Sequence, residues 1–185
     1  VALKLAGELG EDARSLLAGV IAVSTPLDLA ACVRALSKRE NRLYEWRFVR
    51  ALRNRIGRRA MREPGVHPVD KLRGIRTVYE FDDTFVAPMF GFGTADNYYA
   101  TQSSIRFVEN IRIPTLLVQA KDDPMIPFEI FSDSRITGNP NIRILAADHG
   151  GHLGFLASAA PRFWLDRVIL DWLTQQDHQS VDHSR

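Results

Sequence analysis

Four residues in the second half of the chain are of the types that move protons or bind metals. Asp122 and Asp123 lie in the stretch Gln119 to Pro127, and His149 and His152 lie in the stretch Asp148 to Phe155. Each stretch follows a short apolar run, Pro114 to Val118 and Ile142 to Ala146, that reads as a buried strand. A carboxylate just past one strand and an imidazole just past the next can form the acid and base of a catalytic triad, in which the acid orients the base and the base activates a nucleophile. Pro124 and Pro127 stiffen the turn that carries the acid, and Gly150-Gly151 before His152 permits close backbone approach. Taken singly, such an aspartate also serves as a helix cap, and such a histidine also serves a turn. The four side chains together could also ligate zinc or iron, although no helical His-x-x-x-His spacing organises them.

These residues need a sheet to hold them, and the chain supplies the elements of one. Val1 to Leu9 reads as a small-residue helix, with Val1, Leu5 and Leu9 on one face and Gly10 as its stop. Ala18 to Val23 reads as a buried strand, followed by Ser24-Thr25-Pro26 as a helix start and a helix through Cys32, Val33 and Leu36. Asn41 to Arg59 reads as a basic amphipathic helix, with Tyr44, Phe48, Leu52 and Ile56 on its apolar row and Val49 alongside. Pro64 to Pro68 breaks it. Asp82 and Asp83 suit a cap or turn, since adjacent residues point different ways. Asp96 to Ser103 reads as a short helix anchored by Tyr98 and Tyr99. The last helix starts near Pro161, with rows Trp164/Val168/Trp172 and Leu165/Ile169/Leu173. Strands alternating with helices specify an α/β fold with a parallel sheet.

Bulk properties set the outer bounds. At 185 residues and 45% hydrophobic composition, the chain can bury a sizeable core. It contains no run of 18 apolar residues, the length a spanning helix needs. The single cysteine, Cys32, excludes an intrachain disulfide and a cysteine-based zinc site, which fits a reducing, cytoplasmic setting. Net charge is only +2, yet 14 Lys and Arg against 4 Asp and Glu fall between Arg34 and Arg76. That basic segment could be a solvated surface helix, a lid over a site, or a face for anionic headgroups. Nucleic acid is not expected, because no aromatic–basic interleaving or groove-reading motif accompanies the charge.

Three motifs together carry a family resemblance: Asp123-Pro124-Met125-Ile126-Pro127, the turn Gly150-Gly151-His152-Leu153-Gly154-Phe155, and the block Phe81 to Phe85 running through Gly91-Phe92 to Tyr98-Tyr99. The chain from Val1 to about Thr174 resembles the YheT/EMB8-like branch of the α/β-hydrolases. The resemblance implies a serine hydrolase of carboxylic esters with chain order Ser, Asp, His. It assigns Asp123 as the acid, four residues before Pro127, and His152 as the base after the two glycines; Asp122 and His149 are the neighbouring alternatives.

One part of the pattern is missing. No Gly-x-Ser-x-Gly occurs, and Ser24, which follows a strand, is flanked by no glycine. The resemblance therefore implies the C-terminal portion of an α/β-hydrolase domain, residues 1–174, with a helical cap over about 27–92 and a polar tail over 175–185. The serine and oxyanion donors are expected upstream of Val1, and the 185 residues alone are expected to be poorly stable and inactive. The expected substrate is a small-molecule or lipid-like ester, with no cofactor and no metal. A non-enzymatic alternative is a hydrolase-fold module that meets a partner or membrane surface through the basic cap.

Overall fold

The computed structural model describes residues 1–66, 68–156 and 162–182. Its elements, in chain order, are α1 (Ala2–Leu9), β1 (Val20–Val23), α2 (Leu29–Leu36), α3 (Arg42–Arg62), α4 (Val78–Phe81), α5 (Ala87–Met89), α6 (Ala95–Gln102), β2 (Thr115–Ala120), α7 (Ser134–Thr137), β3 (Ile142–Ala147) and α8 (Trp164–Asp182). A π-helical turn, Asp82–Val86, joins α4 to α5. The chain divides into two compact units, one of residues 1–27 with 104–185 and one of residues 28–103.

The first unit holds the sheet, a three-stranded parallel array in the order β1-β2-β3. β2 is the middle strand, and all six of its residues are buried. That burial explains its unbroken apolar run, because a parallel strand covered on both faces has no solvent side to alternate with. Leu116, Val118 and Ala120 share one face, where they pack with Trp172 of α8 and with Phe155, and Trp164, Leu165 and Val168 sit at the margin. Ile169 is half-buried and Leu173 is exposed, so Trp164/Val168/Trp172 is the row that meets the core. α8 remains helical to Asp182, through much of the segment expected to be a polar tail; Pro161 lies outside the described residues.

α1 packs against the 3₁₀ turns Ser104–Arg106 and Val108–Asn110, and against β1. Its buried side is Leu3, Ala6 and Gly7, whereas Val1 and Leu5 are exposed. The expected Val1/Leu5/Leu9 face is therefore corrected. Close approach decides which face is buried, since a Cβ on Gly7 would lie 2.2 Å from the Phe107 carbonyl oxygen. β1 begins at Val20, two residues later than expected, and hydrogen-bonds into β2 through Val20 N–H to Pro114 and Ser24 N–H to Val118.

The second unit is helical. α2 starts at Leu29 and not at Pro26, because the Asp28 side chain accepts the Ala31 N–H at 2.9 Å and caps it there. α3 buries Glu45, Val49 and Ile56, and the last two join Ile75, Phe81 and Phe85 in one core. Tyr44 and Phe48 are exposed, which corrects the expected apolar row. Glu45 takes a place on the buried side because its carboxylate is satisfied by the Ser37 hydroxyl at 2.7 Å and the Val78 N–H at 3.2 Å. The adjacent aspartates act separately: Asp82 accepts from the Tyr99 hydroxyl at 2.6 Å, and Asp83 accepts from the Ala95 N–H at 2.8 Å. These two bonds tie α6 into this unit, which runs to Ser103.

Candidate functional site

β2 and β3 run parallel in the register Thr115↔Ile142 to Ala120↔Ala147, so their carboxyl ends finish side by side. In open parallel sheets the reactive groups collect beyond that end. Both Asp–His stretches emerge there. Lys121 continues the ladder by one bond, its N–H donating to the Ala147 carbonyl at 2.8 Å. The loops then diverge into short turns, and four side chains form two separate pairs.

The inner pair is Asp123 and His152. Asp123 Oδ2 lies 3.0 Å from His152 Nδ1; the aspartate side chain is fully buried, and the imidazole is 28% exposed. An ionised carboxylate only accepts, so Nδ1 carries the proton and donates it. Asp123 is held from all sides. Oδ1 accepts the N–H groups of Met125 at 2.9 Å and Ile126 at 3.2 Å, which close the turn that Pro124 stiffens. Oδ2 also accepts from Gln119 Nε2 at 3.0 Å. Those bonds compensate the burial of a charge, which would otherwise be costly. The second imidazole nitrogen, Nε2, has no partner among the described residues and is the atom able to take up a proton.

The outer pair is Asp122 and His149, 3.3 Å apart, with the histidine 90% exposed. Asp122 Oδ1 also accepts the N–H groups of Gly150 at 3.0 Å and Gly151 at 2.8 Å. The Gly151 N–H foremost, with the Gly150 N–H and the His149 ring, holds the Asp122 carboxyl below the usual carboxylate range. The alternatives raised by the sequence are thus placed in different environments, Asp123–His152 buried and Asp122–His149 in solvent. The four do not converge on one point, and among the described residues no three His, Cys, Asp or Glu side chains could share a metal ion.

Gln119, the first residue of the stretch that carries both aspartates, is fully buried and donates to Asp123. A long polar side chain directly after the apolar run Leu116 to Val118, within a wholly buried strand, is the signal that could have marked it. Its Oε1 and the Ser24 hydroxyl are buried without partners among the described residues. Ser24, at φ 45, sits at the end of β1, the strand next to β2.

A parallel sheet with flanking helices, bearing an acid and an imidazole past successive strand ends, defines the α/β-hydrolase type of architecture. The chain belongs to the α/β-hydrolase superfamily, as its relatives show. It is 32% identical over 158 residues to the putative esterase YheT of Escherichia coli, a match covering 83% of this chain and 46% of that protein. It is 30% identical over 173 residues to the monoacylglycerol lipase of Saccharomyces cerevisiae, covering 89% of this chain and 38% of that protein. An abhydrolase domain-containing protein of Dictyostelium discoideum is 28% identical over 156 residues, covering 83% and 40%. The chain thus spans less than half the length of these relatives. No protein-family model matches it.

Proposed function

We propose that the chain carries the acid and base of a serine hydrolase acting on carboxylic esters, with Asp123 as the acid and His152 as the base. The observation behind this reading is the 3.0 Å contact between a fully buried Asp123 carboxylate and the His152 Nδ1. The names of the relatives, esterase and lipases, favour an ester, small or lipid-like, as the substrate. On this reading, Nε2 of His152 takes the serine proton as the serine oxygen attacks the ester carbonyl, then gives it to the departing alcohol. Water enters by the same path in reverse and frees the acid. Asp123 keeps the ring in the right tautomer and stabilises the imidazolium. The serine and the oxyanion donors are assigned to a part of the gene product outside these 185 residues, because no Gly-x-Ser-x-Gly is present. The setting proposed is the cytoplasm.

The test is hydrolysis of p-nitrophenyl esters by the protein expressed with its upstream reading frame. His152→Ala and Asp123→Asn should each lower kcat by about 10⁴-fold, and the 185-residue chain alone should show no burst. Hydrolysis that survives His152→Ala, or a burst from the short chain, would overturn the assignment.

A second reading concerns α3. It carries eight arginines, and its only acid, Glu45, is buried. Leu43, Trp46 and Met61 are exposed on the same helix, and the Arg50 guanidinium lies over the Trp46 ring at 5.4 Å. Basic residues with exposed apolar anchors suit peripheral contact with an anionic lipid surface. No described helix is long and apolar enough to cross a membrane. Co-sedimentation with vesicles containing phosphatidylserine should weaken several-fold between 0.05 and 0.5 M salt, survive Asp123→Asn, and fall with Arg50→Glu plus Trp46→Ala. Equal binding to neutral vesicles would count against it.

A further inference from the structure

Three consecutive residues after β2 each grip a different part of the loop after β3. Lys121 holds Ala147 through its N–H and Asp148 through its Nζ, at 2.8 and 2.6 Å. Asp122 holds the Gly150 and Gly151 N–H groups. Asp123 meets His152. The middle grip acts on the backbone of the two residues that lead into the base, Gly150 and Gly151.

Gly150 is confined on its other side as well. A Cβ there would lie 3.0 Å from the Phe155 ring and 3.1 Å from the Ala120 side chain, so the backbone rests directly on the end of β2. The loop then doubles back, with the Gly154 N–H donating to the Gly150 carbonyl at 2.9 Å. Gly151 takes φ 55, a conformation favouring glycine. His152 follows at once. Its ring position is therefore set by how Gly150 and Gly151 are held, and the Asp122 carboxylate supplies two hydrogen bonds to those residues.

We propose that Asp122 is a positioning residue for the base, fixing the Gly150-Gly151 backbone so that His152 meets Asp123. The proposal rests on the acid–base reading given above and deepens it. It divides the two adjacent carboxylates by role: Asp123 orients the ring, and Asp122 locates the loop that carries the ring. The solvent-exposed His149 contributes little to this, because an exposed pair gains little in water. Mispositioning of a reactive group by about 1 Å can cost on the order of 10²-fold in rate.

The test uses the protein expressed with its upstream reading frame. Asp122→Ala should lower kcat by about 10- to 100-fold with KM changed less than about twofold. Asp122→Asn keeps an oxygen to accept from both glycines and should recover kcat to within about threefold of the parent. His149→Ala and Lys121→Ala should stay within about twofold. Unchanged kcat in Asp122→Ala, with Asp123→Asn inactive, overturns this proposal and leaves the acid–base reading standing. Activity in both Asp122→Ala and Asp123→Asn overturns the acid–base reading itself. Equal loss in Asp122→Ala and Asp122→Asn, with the unfolding temperature lowered in both, makes the residue merely structural and also overturns the proposal. Should Asp122→Ala not fold, Asp122→Glu puts the carboxylate one methylene out of place: reduced kcat in a folded protein supports the clamp, and unchanged kcat overturns it.

Discussion

At the scale of single residues, two aspartates joined by one peptide bond experience opposite surroundings. Asp123 has no exposed side-chain surface, and Asp122 has 43% of its own in water. The depressed Asp122 carboxyl gives a direct pH prediction. A carboxyl held below its ordinary value stabilises the fold above the unfolded-state pKa of about 3.9, and that contribution is lost as pH falls through the lower, folded-state value. The Asp122 carboxyl carbon shift should therefore titrate with a midpoint below the ordinary carboxylate value of about 3.9. Carbon-detected NMR of the side-chain carboxyl reads this, and an Asp122 midpoint at or above about 3.9 would contradict the hydrogen-bond geometry. The choice between these neighbours was open in the sequence. The resemblance favoured Asp123 through its spacing to Pro127, but the separate environments depend on the turn closed by the Met125 and Ile126 N–H groups.

At the scale of elements, the apolar strands and their alternation with helices were legible, because a strand buried on both faces shows itself as an unbroken apolar run. Which face of a helix meets the core was less so. In α1 the periodicity allowed Val1/Leu5/Leu9 as readily as Leu3/Ala6/Gly7, and only contact with Phe107 decides between them. In α3 a glutamate occupies a buried position, and a search for apolar rows passes over it. In α2 the start moved to Asp28, since Ser24-Thr25-Pro26 and Asp28 offer competing signals and tertiary structure uses the second. The close contact in α1 is testable. Gly7→Ala places a methyl into the Phe107 backbone, which has no flexible end to move, and should destabilise the first unit by about 1–3 kcal/mol despite the better helix propensity of alanine. Chemical denaturation of the two proteins reads the difference, and a more stable variant would mean that α1 packs elsewhere.

At the scale of the whole molecule, the sequence carried the basic bias of one segment, since the arginines that crowd α3 all fall within residues 28–103. It did not show where the second unit ends. That boundary depends on bonds from Asp82 and Asp83 to Tyr99 and Ala95, made between residues far apart in a mixed, low-periodicity stretch. Asp123 and His152, the proposed acid and base, each follow a strand end that the sequence marks as the close of an apolar run. The order β1-β2-β3 follows the order of the chain, and the Asp123–His152 contact closes a loop of only 29 residues. Loop-closure entropy grows slowly with length, but topology with near neighbours still assembles first. Parallel pairing of β2 with β3 therefore also sets the spacing of the two loops that carry Asp123 and His152, and a slip in the register of these strands would pull that contact apart.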